Sequence, residues 1–245
     1  MLIAIPSKDR AGKVSTEKVM LGCDCTLFVP ASQSADYQNH HARVVAVPDR
    51  VRGITATRNH ILDYAASQGE KHVVQCDDDA VMFGKFEDTG PGRQLRPFEH
   101  IQIPDLLEDM FAMTAAAGTN LFGFQVSYDP RFYREYSPFA FLAVIVGNFM
   151  GIIDDGQRFD ERLKVKEDYD FALQSLYRHR KVVRMNKYAF HVSHLFDPGG
   201  CAAYRTYQME LDAIRVLRKK WGATIIGANP RKPWEVTVRP PLRGI

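Results

Sequence analysis

The first half of the chain alternates short apolar runs with polar stretches of helical pattern. Four runs rich in branched residues predict β-strands, and they cover residues 2–6, 25–30, 43–47 and 72–76. Residues 15–21 and 57–67 carry the pattern of helices between these strands. Because strands that alternate with helices form a mostly parallel sheet with helices on its faces, we predict an α/β, Rossmann-like fold.

The pattern of the second half is less regular. Residues 84–104 are rich in glycine, proline and charge, and we expect a long excursion there. The other elements follow as three helices and three strands, with helices at 103–117, 167–179 and 204–221 and strands at 121–127, 139–146 and 181–185. There are no internal repeats, so we expect residues 1–245 to form one domain.

The composition is that of an ordinary globular protein, with 45% hydrophobic and 25% charged residues. No segment approaches the roughly 18 uncharged apolar residues of a membrane span, and the N-terminus lacks the layout of a signal peptide. We therefore expect a cytoplasmic protein that does not bind a membrane. The four cysteines include a closely spaced pair, Cys23 and Cys25. We expect all four to be free thiols rather than disulfide or zinc ligands.

The net charge of +3 is unevenly distributed along the chain. From Leu176 to the C-terminus there are 14 Lys and Arg residues against 4 Asp and Glu residues, a net charge of +10. Lysine and arginine displace the counterions of phosphates, so such a segment can bind a polyanion. Charge alone favours the simpler interpretation, a solvated basic helix surface.

Three consecutive aspartates, Asp77, Asp78 and Asp79, directly follow the predicted strand 72–76. The end of a strand is where ligands collect in parallel sheets. Because side chains alternate along an extended chain, Asp77 and Asp79 are expected on the same side. Such a pair can share a hard divalent cation that also binds phosphate oxygens. The alternative is a turn whose acids bind no ligand.

Two further signals lie later in the chain. Glu167 and Asp168 open a predicted helix, where acids favour the helix N-terminus, but a carboxylate held there can also deprotonate an attacking hydroxyl. His191 and His194 follow the next strand, and either can supply a nitrogen ligand to the aspartate site. Of the two histidines we favour His194. A structural histidine is the alternative for each.

Polar and basic side chains also crowd the end of the first strand, where Ser7 and Arg10 follow Pro6. Residues 57–59 start a predicted helix, whose backbone donors can hold a nucleotide or its phosphates together with Arg58. These signals indicate a nucleotide site beside the aspartates.

Taken in order, these segments resemble the metal-dependent glycosyltransferases of the GT-A fold. The segment IAIPSKDR resembles the first strand on the nucleotide side, GITATRNHILDYA the helix before the metal motif, and VVQCDDDA the strand with the metal motif. Further along, GNFMGI resembles the floor of the acceptor side, KEDYDFALQ the Glu-Asp catalytic helix, and HVSH the late metal histidine. The resemblance covers residues 2–222. It divides the chain into a nucleotide-binding half (1–83), an acceptor and catalytic half (84–200) and a basic C-terminal helix and tail (201–245).

Within that fold, IPSKDRAGKVST, the pairing of RNHIL with DDD, and DPGGCAAYRT resemble the base-J-type DNA glucosyltransferases. These enzymes are associated with TET/JBP dioxygenases and are widespread in bacteriophages. The resemblance implies transfer of a sugar, usually glucose from UDP-glucose, to the hydroxymethyl group of 5-hydroxymethyluracil or 5-hydroxymethylcytosine in DNA. For a phage-encoded protein the location would be the host cytoplasm. The basic C-terminal third is compatible with a DNA acceptor.

The resemblance also implies roles for individual residues. Asp77 and Asp79 would hold Mn²⁺ or Mg²⁺ together with His194, with Asp79 as the more direct ligand. Asp168 would take the proton of the acceptor hydroxyl, which implies inversion at the anomeric carbon. Glu167 would orient the sugar hydroxyls or the base.

The nucleotide-sugar would be held by residues from four parts of the chain. Arg205 would reach the diphosphate when the preceding glycine-containing loop closes. The motif departs from Asp-X-Asp in having a third acid, and Asp78 either competes for the metal or forms local hydrogen bonds. The residues expected to contact the nucleotide-sugar are Pro6, Ser7, Arg10, Arg58, Asn59, Asp77, Asp78 and Arg205.

Two other functions are compatible with the same sequence. An enzyme of this fold can act on a saccharide, lipid or protein hydroxyl, which would not require affinity for DNA. A catalytically silent nucleic-acid-binding module is the second alternative, although a silent protein has no chemical need to keep Asp79, Asp168 and His194. A nucleotidyltransferase would explain the aspartates but not the later Glu-Asp helix.

Overall fold

A computed structural model of the protein describes residues 1–89, 92–98, 102–193 and 205–240. Its helices are α1 (Thr16–Val19), α2 (Ser34–Gln38), α3 (Ile54–Ser67), α4 (Gln102–Ala116), α5 (Glu167–His179) and α6 (Tyr207–Trp221). Its strands are β1 (Leu2–Pro6), β2 (Cys25–Pro30), β3 (Val44–Val47), β4 (His72–Cys76), β5 (Ala80–Thr89), β6 (Gly92–Pro97), β7 (Leu121–Gln125), β8 (Phe139–Ala140), β9 (Phe149–Ile153), β10 (Val183–Val192), β11 (Ile226–Asn229) and β12 (Lys232–Val238).

The central sheet has the order β3-β2-β1-β4-β9-β7-β10-β5-β6, with β8 paired to β10. Strands β3, β2, β1 and β4 are parallel to one another, and β10 is parallel to β7. Strand β9 runs antiparallel between β4 and β7. The predicted α/β fold with a mostly parallel core is therefore confirmed, and β9 is the antiparallel strand at its centre.

The core lies on both faces of the sheet, as the alternation along β1 shows. Ile3 and Ile5 belong to a cluster that includes Phe111 of α4, whereas Ala4 belongs to a cluster that includes Ile61 of α3 and Phe171 of α5. Burial on both faces explains why the parallel strands are continuous apolar runs. It also fixes α3 and α5 on the same face of the sheet.

The excursion predicted for 84–104 is wrong over its first part, because β5 and β6 form an antiparallel hairpin. Strand β6 lies at the edge of the sheet, where one face is exposed, so its polar composition indicated a loop. Phe86 of β5 packs against Tyr133, with Leu95 of β6 beside them. The strand predicted at 139–146 is reduced to Phe139–Ala140, after which the chain is irregular until Phe149.

The segment predicted as a C-terminal helix and tail contains more structure than expected. Helix α6 is followed by a hairpin of β11 and β12, which pair antiparallel in a sheet of their own. Helix α3 begins at Ile54, three residues earlier than predicted, after Gly53 with a φ of 85°. Within the described ranges, Cys23, Cys25 and Cys76 are free thiols, and none of the helices is long and apolar enough to cross a bilayer.

Candidate active site

The three aspartates form the turn between β4 and β5, at the carboxyl end of the parallel strands. The backbone amide of Asp77 donates to the Asn148 carbonyl at 3.1 Å, and the Ser15 amide donates to the Asp78 carbonyl at 3.1 Å. The Ser193 amide donates to the Asp79 carbonyl at 3.0 Å. Hydrogen bonds with three separate segments thus fix the backbone of the turn and the directions in which its side chains leave it.

Asp78 points into the protein and has local partners. It is 6% exposed and accepts hydrogen bonds from the Ser7 hydroxyl and the Arg10 guanidinium. Burial raises the pKa of Asp78, and the bonds from Ser7 and Arg10 oppose that increase. The Tyr37 hydroxyl completes the group, 2.8 Å from Ser7 Oγ and 2.9 Å from the Arg10 amide. Of the two roles left open for Asp78, the geometry shows local hydrogen bonding.

Asp79 has an oxygen that lacks a protein partner. Its Oδ2 lies 3.4 Å from the Arg10 guanidinium, whereas its buried Oδ1 has no hydrogen-bond partner among the described residues. An orphaned buried carboxylate oxygen is costly unless something outside the chain satisfies it. Oxygen ligands of this kind suit Mg²⁺ and Mn²⁺. The donor chemistry at Asp79 therefore fits a divalent cation.

Asp77 is the second candidate ligand, and burial raises its pKa to about 7. Its Oδ1 accepts from Arg58 Nη2 at 3.1 Å. Within the described ranges, no three His, Cys, Asp or Glu side chains converge as a metal site. His194 lies outside these ranges. His191 is described, and its Nδ1 lies 3.4 Å from the Val126 carbonyl.

Arg58 is the buried centre of the site. It projects from the second turn of α3 and is 2% exposed. In addition to Asp77, its Nη2 donates to the Gly147 carbonyl at 2.9 Å, and its Nε lies 3.2 Å from Glu167 Oε1. Gln75 of β4 accepts from Nη1 at 3.4 Å and donates to the Arg58 carbonyl at 3.1 Å. One guanidinium therefore connects the aspartate turn to the start of α5.

Glu167 and Asp168 begin α5 but point in different directions. Glu167 is buried against Arg58, and burial, together with the charge of Asp168, raises its pKa to about 7. Asp168 is half-buried, and its two oxygens accept from the backbone amides of Gly147 at 2.8 Å and Tyr169 at 2.9 Å. Asp168 is therefore the better placed of the two acids to meet a ligand from outside.

Gly147 brings the two halves of the site into contact. A Cβ at this position would lie 2.7 Å from Arg58 Nη2 and 3.4 Å from Asp168 Oδ2. Only a glycine allows the loop to approach the arginine this closely while its amide reaches the carboxylate. The sequence contained a signal in the segment GNFMGI, but its contacts with Arg58 and Asp168 were not predicted.

The remaining predicted residues lie around this centre. Pro6 ends β1. The Asn59 side chain donates to the Phe159 carbonyl at 3.0 Å and accepts from the Phe159 amide at 2.8 Å, so its contacts hold a neighbouring loop. Arg205 forms an ion pair with Glu210 of α6. Because α3 begins at Ile54, residues 57–59 lie within the helix, and the predicted free backbone donors there are wrong.

Helix α6 contacts the start of α5 through residues that we did not predict. Lys166, which precedes Glu167, has a left-handed φ of 61°. Its Nζ lies 2.7 Å from Glu210 Oε2, and both side chains are 8% exposed. At the other end of α6, Trp221 Nε1 donates to buried Asp170 at 2.8 Å. The basic helix is thus attached to α5 at two points.

Solved structures align with most of this chain. Glucosyl-3-phosphoglycerate synthase from Mycobacterium tuberculosis, crystallised with Mg²⁺ and UDP, aligns with a TM-score of 0.50 at 13% identity over 89% of this chain and 78% of that chain. S. aureus TarS 1-349 aligns with a TM-score of 0.48 at 11% identity over 91% and 73% of the two chains. The chain covers 39% of a longer TarS structure. At 13% identity, the alignment with the synthase shows a shared fold alone.

No curated protein gives a significant match to the chain. The family model described as TET-Associated Glycosyltransferase matches residues 1–200. That match includes the aspartate turn, Arg58, Gly147 and the Glu167-Asp168 pair, the parts that meet at the sheet edge. Because the match spans well over half of the chain, the protein belongs to the TET-associated glycosyltransferase family.

Proposed function

We propose that the protein transfers a sugar, with glucose as the first candidate, from a UDP-sugar to the hydroxymethyl group of a modified pyrimidine in DNA. The observation that carries the proposal is the linkage of Asp77 to Glu167 through Arg58, beside the half-buried carboxylate of Asp168. This linkage supports a metal-binding turn and a proton acceptor at one edge of the sheet, in a member of a glycosyltransferase family.

Asp79 and Asp77 would hold the Mn²⁺ or Mg²⁺ ion, with His194 as the third protein ligand that we propose. When bound, such an ion neutralises the charge of the diphosphate and makes it a better leaving group. The orphaned Oδ1 of Asp79 supports this assignment. Arg58 balances the charge of Asp77 from behind.

The chemical step assigned to this chain is proton removal. The oxygen of the acceptor hydroxymethyl group attacks the anomeric carbon as the bond to the UDP oxygen breaks, and the hydroxyl proton passes to a carboxylate oxygen of Asp168. Attack opposite the leaving group inverts the anomeric configuration. The amides of Gly147 and Tyr169 hold Asp168 in place, and Glu167 keeps the start of α5 fixed to Arg58.

Two observations support DNA as the acceptor. The family is named for its association with TET proteins. The described segment 205–240 carries eight Lys and Arg residues against three Asp and Glu residues; four of the eight pair with acids of the fold, and the remaining cations suit a polyanionic acceptor. A lipid acceptor has no comparable support in the structure.

The test is a transfer assay. The wild-type protein is incubated with Mn²⁺, a series of UDP-sugars and DNA that contains 5-hydroxymethyluracil or 5-hydroxymethylcytosine. Nucleosides from the digested DNA are then examined by mass spectrometry. A glycosylated nucleoside is expected with wild type and with the surface control Asp24→Asn, but not with Asp168→Asn. Hydrolysis of a UDP-sugar without transfer to either base would contradict a DNA acceptor.

A further inference from the structure

Exposed aromatic side chains are concentrated in residues 128–141, a segment that runs beside β10 from His191 to Arg184. Of the ten large apolar residues that are exposed among the described residues, four fall within residues 128–141. Tyr136 is 86% exposed, Phe132 is 65% and Tyr128 is 59%. Single exposed apolar residues are ordinary, but a cluster marks a binding surface. We call Tyr128, Phe132, Tyr136 and Phe141 the aromatic ridge.

The segment that carries the aromatic ridge is anchored to the central sheet. Tyr133, between the exposed residues, is buried and stacks on Phe86 of β5, with ring centroids 5.5 Å apart and planes 10° apart. The Arg93 guanidinium lies 5.0 Å from the Tyr133 ring centroid. Asn186 holds the end of the loop, since its side chain donates to the Ser137 carbonyl at 3.0 Å. The backbone that carries the outward rings is therefore anchored to β5 and β10.

One end of the ridge reaches the metal motif. The Tyr128 ring packs edge-on against His191, with centroids 4.6 Å apart. His191 pairs with Met82 across β10 and β5, and two residues further on the Ser193 amide donates to the Asp79 carbonyl. A ligand lying on Tyr128 is therefore beside the turn that we propose as the donor site.

The other end of the ridge borders a cleft that contains an arginine. This Arg184 cleft has a volume of about 440 Å³ and is lined by residues 137 and 139–143 together with Arg184. Arg184 Nε donates to Asn186 Oδ1 at 2.8 Å, and within the described ranges no carboxylate lies at ion-pair distance from it. Burial lowers the pKa of Arg184. A partly buried guanidinium with no carboxylate beside it among the described residues favours an anionic ligand.

The cleft also lies near the proposed base. Ala143, at its wall, is four residues from Gly147, a span of at most about 14 Å, and the Gly147 amide donates to Asp168. The two ends of the surface therefore adjoin segments that contact Asp79 and Asp168. A ligand that lies along it would be extended, with flat apolar groups and at least one negative charge.

We propose that the aromatic ridge and the Arg184 cleft bind unpaired nucleotides of the acceptor strand, with bases stacked on the ridge and a backbone phosphate at Arg184. The inference rests on the proposed DNA acceptor and assigns a single strand, or a locally opened one. In a duplex the base faces are stacked on each other and cannot meet Phe132 or Tyr136. Arginine next to aromatic rings is the usual chemistry of such sites.

The test uses unmodified DNA, so that strand binding is measured separately from sugar transfer. Fluorescence anisotropy compares one labelled single strand with its duplex for the wild type, Tyr136→Ala, Phe132→Ala and the control Tyr177→Ala. Tyr177 is a 71% exposed tyrosine on α5. We expect single-strand affinity to fall about five- to tenfold in each ridge variant and to stay unchanged in the control. Equal affinity in the ridge variants and wild type, or tighter binding of the duplex, would overturn the inference.

Arg184 is tested by salt dependence. Arg184→Gln should reduce the slope of log affinity against log salt concentration by about 0.7 for a single strand, the value of one lost phosphate contact. The control is Arg43→Gln, which breaks an exposed ion pair with Asp24 and should leave the slope unchanged. An unchanged slope in folded Arg184→Gln overturns the phosphate contact. Should wild type bind single strands yet fail to glycosylate hydroxymethylated DNA, the proposed function fails while the strand site stands.

Discussion

Arg58 Nη2 lies 3.1 Å from Asp77 Oδ1, and the arginine of this ion pair is buried. Since the same guanidinium also pairs with Glu167, it holds two carboxylates from segments 90 residues apart in the sequence. Arg58 was predicted to grip the nucleotide. Its position makes it the residue that links the aspartate turn to the start of α5.

Replacing Arg58 should destabilise the fold. Arg58→Met leaves buried Glu167 and partly buried Asp77 without their counter-charge, and we expect the free energy of unfolding to fall by about 3–5 kcal/mol. Urea denaturation measures this. The control Arg43→Met breaks an exposed pair and should cost at most about 1 kcal/mol. Similar stabilities for the two variants would show that the Arg58 pairs have no structural weight.

The buried acid Glu167 predicts a pH dependence of stability. Burial raises its pKa from 4.5 to about 7 in the folded protein, so the folded state binds a proton that the unfolded state releases. Its contribution to stability is complete below pH 4.5 and is lost as the pH rises through 7. Urea denaturation at pH 5 and pH 8 should show a smaller decrease for Glu167→Gln than for wild type. An equal decrease in both proteins would contradict the raised pKa.

The neighbouring aspartates should separate metal binding from stability. Asp79→Asn removes the carboxylate with the orphaned oxygen, and we expect Mn²⁺ binding, measured by calorimetry, to weaken at least about tenfold with little change in unfolding. Asp78→Asn removes the partner of Ser7 and Arg10, and should lower the free energy of unfolding by about 2 kcal/mol. If Asp78→Asn lost the metal while Asp79→Asn kept it, the assignment of the two residues would be reversed.

Gly147 should tolerate no side chain. In Gly147→Ala the added methyl group must displace the Arg58 guanidinium from 2.7 Å, and overpacking of this kind costs about 1–3 kcal/mol. We expect a lower kcat in the transfer assay as well, because the Gly147 amide holds Asp168. The control Gly227→Ala meets its nearest atom at 3.4 Å, an ordinary contact. Full activity in Gly147→Ala would show that Asp168 needs no such support.

The sequence predicts the parallel core well. The bounds of β1, β2 and β4 agree with prediction because these strands are buried on both faces and appear as unbroken apolar runs. The β5–β6 hairpin was missed because an edge strand shows its polar face. The length of β8 was overestimated because Phe139 and Phe141 are both apolar, although only Phe139 belongs to this two-residue strand.

The acids of the candidate site could be predicted from motif order, but their partners could not. Asp78 is satisfied by Ser7 and Arg10, about 70 residues away in the sequence, and only the pairing of β1 with β4 brings them together. The direction of Arg58 depends on where α3 begins and which strand it covers. His194, predicted as a metal ligand, stays a prediction because it lies outside the described residues.

The net charge of the C-terminal third overstates the positive surface that this segment presents. Several of its cations are neutralised within the fold, since Lys220 pairs with Asp160 and Asp170, and Arg205 pairs with Glu210. Net charge along a sequence counts every lysine and arginine equally. The positive surface presented to a polyanion is therefore smaller than the sequence count indicates, and its position has to be taken from the structure.

The contact between Lys166 and Glu210 ties the start of α5 to a part of the chain that lies outside the family match. A left-handed lysine is a strained start for a helix, costing about 1–3 kcal/mol, and its buried partner comes from α6, beyond the residues that define the family match. Glu210, from the segment after residue 200, therefore stabilises the start of the helix that carries the proposed base. A shortened protein that kept the proposed base but lacked Glu210 would hold the start of α5 less firmly.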